Sequence, residues 1–82
     1  MINKEIENVV AVLNSLKEDN TVPKNVRMKI EGAIKILNDD TEMKIKVSKV
    51  LSELEEIADD VNLQSYTRTQ IWDAISVLEK VK

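Results

Sequence analysis

The chain has 82 residues, of which 43% are hydrophobic and 33% charged, and its formal net charge is −3. This length predicts one small domain spanning 1–82, and the mix of apolar and charged residues excludes a disordered chain. Because Cys and His are absent, disulfides, thiolate zinc sites, cysteine nucleophiles and imidazole bases are excluded. No apolar run approaches the ~18 residues of a membrane span, so we expect a soluble, cytoplasmic protein with no membrane partner.

Apolar residues recur at spacings of three and four along four segments of the chain. This is the period of amphipathic helices, and no segment shows the strict alternation of a strand. The predicted helices cover 2–18, 23–38, 41–58 and 65–81. The sequence therefore predicts an all-α domain of four helices.

Residues typical of helix starts lie between these segments. Pro23 suits the first turn of the second helix, with Thr21 before it as a cap. Asp39, followed three residues later by Glu42, predicts a capping box at the start of the third helix, and Ser65 is the predicted cap of the fourth.

The two halves of the chain carry the same pattern. At an offset of 41 residues, identical residues recur without a gap, among them Leu13/Leu54, Asp19/Asp60, Arg27/Arg68, Ile30/Ile71, Ala33/Ala74, Ile34/Ile75 and Leu37/Leu78. The pattern predicts one helix hairpin written twice, over about 2–41 and 43–82, with a period in the range of two-helix repeats such as HEAT units. Either the hairpins close on each other as a compact bundle, or they form a HEAT-like pair with an apolar end that a second molecule buries.

Two stretches of the sequence carry a resemblance to a known family. VPKNVR (22–27) and YTRTQIWDAISVLEK (66–80) resemble a family of small helical archaeal proteins, family zero-one-four-seven of the UPF series. The resemblance runs over nearly the whole chain and implies an all-helical cytosolic protein, without implying an activity. Members of that family often carry a proline before the fourth helix, where this sequence has Leu63-Gln64-Ser65-Tyr66.

Two arginines occupy the same place in the two predicted hairpins. Arg27 and Arg68 each follow an aspartate by eight residues, Asp19 and Asp60 respectively. A cation in the first turn of a helix opposes the helix dipole, so we expect each arginine to have a compensating partner. That partner is either the acid or the loop carbonyls of the same hairpin, and the alternative is a pair of ligand-binding arginines.

Several apolar residues lie beside or outside the regular stripes. Trp72 replaces the Glu of the first copy, and it is either a lid over a small core or the anchor of an interface, together with Tyr66. Val12, Ile36 and Ile45 broaden the stripes, which suits helices with neighbours on two sides or a dimer face.

Charge changes sign along the chain. Residues 22–50 contain seven bases against four acids, whereas 51–60 contains five acids and no base. This asymmetry suits self-complementary association, or it is an ordinary solvated surface. Glu53, Glu56 and Asp60 share a helix face, but the sequence offers no further ligands from other segments. Neither a metal site nor a cofactor is therefore predicted.

These features indicate a non-enzymatic interaction or scaffold module that self-associates as a homo-oligomer, most simply a dimer. The alternative is an RNA- or ribosome-associated factor that uses the basic segment 22–50. Its phosphate contacts would be Lys24, Arg27, Lys44, Lys46 and Lys49. The negative net charge and the 2% content of aromatic residues count against this nucleic-acid alternative. We expect no enzyme, since no acid–base pair can be named.

Overall fold

A computed structural model of the chain describes residues 4–81. Its helices are α1 (Lys4–Lys17), α2 (Lys24–Leu37), α3 (Met43–Ala58) and α4 (Ser65–Val81). The predicted all-α class is confirmed, and the predicted helix ends within these residues lie no more than two positions from the observed ones. The first two positions of the predicted first helix, 2 and 3, lie outside the described residues.

The four helices form a closed ring in which each helix packs on two neighbours. α1 packs on α2, α2 on α3, α3 on α4, and α4 returns to α1. Over residues 4–81, no Cα atom of α1 comes within 8 Å of α3, and none of α2 within 8 Å of α4. A HEAT-like stack would put these corresponding helices against each other, so the structure has the compact-bundle alternative, an up-and-down four-helix bundle.

The core is built from equivalent positions of the two halves. At the offset of 41, both members of nine apolar pairs are buried: Ile6/Val47, Val9/Val50, Leu13/Leu54, Leu16/Ile57, Val22/Leu63, Ile30/Ile71, Ala33/Ala74, Ile34/Ile75 and Leu37/Leu78. Burial of each large aliphatic side chain contributes about 1.5–3 kcal/mol. Thr67 is a buried polar residue, and it takes the place of buried Val26 in the first half.

The three loops between the helices share one construction. Each contains an aspartate two residues after the end of the preceding helix: Asp19, Asp39 and Asp60. The carboxylate of each accepts a backbone N–H within the next two residues, at 2.8 Å in all three loops. Such local bonds from an aspartate stabilise a tight turn, so each helix is followed by an abrupt reversal of the chain.

The predicted helix caps are wrong. α2 and α3 begin after Pro23 and Glu42, and neither residue makes a side-chain capping bond. Thr21 instead bonds to a loop carboxylate, and Asp39 accepts its bonds from inside its own loop. Ser65 is the first residue of α4, one position too late to be its cap. The side chains of Thr21 and Asp39 instead close the loops in which they lie.

Candidate interaction surface

Arg68, the fourth residue of α4, closes the loop that precedes its helix. Its Nε donates a hydrogen bond to the Ala58 carbonyl oxygen at 3.0 Å, and its Nη2 donates to the Asp60 carbonyl oxygen at 2.7 Å. Ala58 is the last residue of α3, a helix with no base in its own last turn. The guanidinium therefore supplies the positive charge that a helix C-terminus favours.

Lys46 has the same role one loop earlier. It is the fourth residue of α3, and its Nζ donates to the carbonyl oxygens of Leu37 and Asp39, both at 3.1 Å. These acceptors are the last residue of α2 and the residue two places beyond it, the same two places that Arg68 uses after α3. The sequence indicated no such role for Lys46, which it placed among the candidate phosphate contacts.

The carboxylate of Asp39 is held in its charged form by this loop. The hydrogen bond from the Thr41 hydroxyl, followed by that from the Asp40 N–H, lowers the pKa of Asp39 below its ordinary value, and the charges of Lys46 and Lys49 act in the same direction. Bonds that favour the charged form of an acid lower its pKa. The turn is therefore built on an ionised aspartate.

Arg27 is the third cation at this position but is not used in the same way. It is the fourth residue of α2, and its Nε is buried without a hydrogen-bond partner. The two hydrogen bonds from Thr21 are the main cause that lowers the pKa of Asp19, and the charge of Arg27 makes a smaller contribution. Arg27 and Arg68, equivalent in sequence, therefore differ in their contacts.

The five predicted interface residues divide into two groups. Val12 and Ile36 are half-buried and pack against the core, so they belong to the bundle. Ile45, Tyr66 and Trp72 are exposed by 46%, 67% and 48%. These three side chains, and not Val12 or Ile36, are available to a partner.

Exposed large hydrophobic side chains are concentrated in the second hairpin. Within residues 4–81 they are Met28, Ile45, Val61, Tyr66 and Trp72. All except Met28 lie between the start of α3 and the middle of α4. Their counterparts at the repeat offset are exposed polar residues: Lys4, Asn20, Asn25 and Glu31. The bundle thus accepts polar residues at these places, and its core does not require the apolar ones.

Tyr66 and Trp72 lie on different sides of α4. Because a helix turns by about 100° per residue, six positions place the two side chains ~120° apart around the axis. The Tyr66 hydroxyl accepts a bond from Gln70 Nε2 at 3.1 Å, and both residues line a groove of about 300 Å³ against α1. Trp72 is one turn after Arg68, on the side of α4 that faces α3. The structure does not join them into one aromatic surface.

A larger groove of about 670 Å³ lies between α1 and the loop from α2 to α3. Its apolar lining includes Ile6, Val10 and Met43. Lys46 also lines it, with its Nζ already bonded to two carbonyls. In the part of the chain that the structure describes, no three Asp or Glu residues gather as metal ligands, and no helix is long and apolar enough to cross a membrane.

The residues of the nucleic-acid alternative do not form one patch. Lys24 and Arg27 are at the start of α2, whereas Lys44, Lys46 and Lys49 are at the start of α3. A short loop joins these two packed helices, so they run antiparallel and their starts lie at opposite ends of the bundle. The 14 residues of α2 span ~21 Å.

Comparison with known proteins identifies the family. Residues 1–81 match the family model described as "Uncharacterised protein family (UPF0147)". The chain belongs to the UPF0147 family. A UPF0147 protein of Methanothermobacter thermautotrophicus is 36% identical over 100% of this chain and 81% of its own length. A UPF0147 protein of Thermococcus kodakarensis is 37% identical over 94% of this chain and 95% of its own.

The fold of this UPF0147 chain also matches a solved structure. The crystal structure of the unknown-function protein MMP1188 superposes with a TM-score of 0.90 at 33% sequence identity. The match covers 95% of this chain and 90% of the other. The family resemblance stated from the sequence is therefore confirmed.

Proposed function

We propose that this UPF0147 chain is a non-enzymatic protein-interaction module, and that its contact surface is the outer side of the α3–α4 hairpin. The observation that carries the proposal is the exposure of Ile45 and Trp72 on this hairpin, at positions that carry Lys4 and Glu31 in the other. Exposed apolar side chains that the core does not need are typical of contact surfaces.

The comparison between the hairpins is sharpest at Trp72. Its counterpart is Glu31, whose carboxylate Oε1 lies 3.7 Å from Lys35 Nζ. The two residues are one helical turn apart and form an exposed ion pair. That surface is an ordinary solvated one. The equivalent position in the second hairpin carries Trp72, which is about half exposed to water. Tryptophan is among the residue types most enriched in interface hot spots. The absence of Cys and His from the sequence further supports a role in binding without catalysis.

Site-specific photo-cross-linking tests this proposal. A photo-reactive aromatic residue replaces Trp72, or replaces Glu31 as the matched control on the first hairpin, and the protein is irradiated in its native cells. We expect discrete protein adducts from position 72 and few or none from position 31. No adduct from either position, or the same adducts from both, would contradict the proposed contact surface.

A further inference from the structure

The charge along α3 opposes the dipole of its own helix. Helices are stabilised by acids in the first turn and by bases in the last, but α3 has neither. Its first half carries the bases Lys44, Lys46 and Lys49, and its second half carries Glu53, Glu55 and Glu56, followed by Asp59 and Asp60. The arrangement is unfavourable for an isolated α3.

The outward face of α3 is complementary in charge to itself when reversed. The core side of the helix is defined by its buried residues, which are Val47, Val50, Leu51, Leu54, Ile57 and Ala58. The opposite side carries exposed residues in the order Ile45, Ser48, Lys49, Ser52, Glu56 and Asp59, and exposed Lys44 and Glu55 lie on the flank toward α4. In an antiparallel pair of such helices centred between Ser52 and Glu53, Lys49 of each chain meets Glu56 of the other.

One flank of the helix satisfies the geometry of such a pair. In an antiparallel helix pair with twofold symmetry, each flank faces the same flank of its partner. Successive residues are about 100° apart, so Lys49 and Glu56 lie within about 20° of each other around the axis, on the flank toward α2. The small side chains of Ser48 and Ser52 lie near the centre, where two helices approach most closely.

We infer that the partner of this surface is a second copy of the chain, bound through an antiparallel pairing of two α3 helices. The inference rests on the proposed function and names its partner. α3 has 16 residues and is ~24 Å long. Such a face is smaller than the ~800 Å² per partner of a standard interface, so the dimer is weak and weakens as salt rises.

Charge-reversal variants test the pairing. In Lys49→Glu and in Glu56→Lys, two symmetry-related attractions become repulsions, and we expect the dissociation constant from sedimentation equilibrium to rise at least about tenfold. An equimolar mixture of the two variants restores opposite charges at both contacts, so it should form a heterodimer of near wild-type affinity. Glu56→Lys improves the match to the helix dipole, so weaker dimerisation of that variant cannot be ascribed to loss of α3.

Lys29→Glu and Glu18→Lys are the matched controls, because they make the same charge changes at exposed positions outside α3. They should leave the dissociation constant within about twofold, since the net charge alone contributes little. A wild-type chain that stays monomeric at the highest soluble concentration, or a dimer unaffected by both reversals, would overturn the inference. Cross-links from position 72 to other proteins would then still support the proposed function, and their absence would remove that as well.

Discussion

Replacing Arg68 by alanine removes two hydrogen bonds from a cation to backbone carbonyls. Each hydrogen bond from a charged group contributes about 1.5–3 kcal/mol. The side chain is only partly buried, so water can reach part of the freed surface, and we take the lower end for each bond. Arg68→Ala should therefore lower the free energy of unfolding by about 2–3 kcal/mol, which in a domain of this size lowers Tm by roughly 10 °C or more.

Arg27→Ala is the matched control for this prediction. The Arg27 Nε has no partner to lose, so this variant should cost less than ~1 kcal/mol. Arg68→Lys keeps the charge but not the forked geometry, and should fall between wild type and Arg68→Ala. Urea unfolding followed by far-UV circular dichroism measures all three variants. Equal losses for Arg27→Ala and Arg68→Ala would refute the assignment of different roles to the two arginines.

Three further variants are predicted from burial and charge. Thr67→Val should raise the free energy of unfolding by about 1 kcal/mol in urea titration, and Val26→Thr should lower it by a similar amount, because both sites are almost fully buried. Changes of the opposite signs would contradict the structural equivalence of the two sites. Trp72→Glu should lower the free energy of unfolding by less than ~1 kcal/mol, whereas Ile71→Ala should lower it by about 2–5 kcal/mol, since only Ile71→Ala leaves a cavity in the core. Thermal melts with a similar Tm for the two variants would contradict this difference. The pKa of Asp39 is lowered on folding, so the stability that it contributes is present above its ordinary pKa and is lost as pH falls through the lower folded pKa. In acid titrations, Asp39→Asn should therefore lose less stability than wild type as pH falls below about 4. An unchanged profile would count against an ionised turn.

The sequence predicted the helices and the core because both follow from the spacing of apolar residues. It did not distinguish a bundle from a stack, since both arrangements bury the same stripes, including the equivalent residues Leu13 and Leu54. The caps failed because Thr21 has two possible bonding partners, a helix N–H and a loop carboxylate, and spacing alone does not decide between them. The sequence therefore specified which faces are buried better than it specified the bonds of short polar side chains.

The roles of the cations were only partly accessible from the sequence. Arg27 and Arg68 are identical in spacing and residue type, so nothing in the pattern separates them. Lys46 was missed because it follows its aspartate by seven residues rather than eight and differs in residue type. Its position as the fourth residue of α3 was the available signal, and it becomes clear only when the helix starts are known.

The measurement that tests the contact surface most directly is the change in amide chemical shifts when the wild-type protein is diluted at low salt. We expect concentration-dependent shifts at the outward positions of α3, including Ser48, Ser52 and Glu56, and at the indole N–H of Trp72. Shifts centred on the outer side of α1 and α2 would contradict the assignment of the surface, and a spectrum that does not change with concentration would contradict self-association through it.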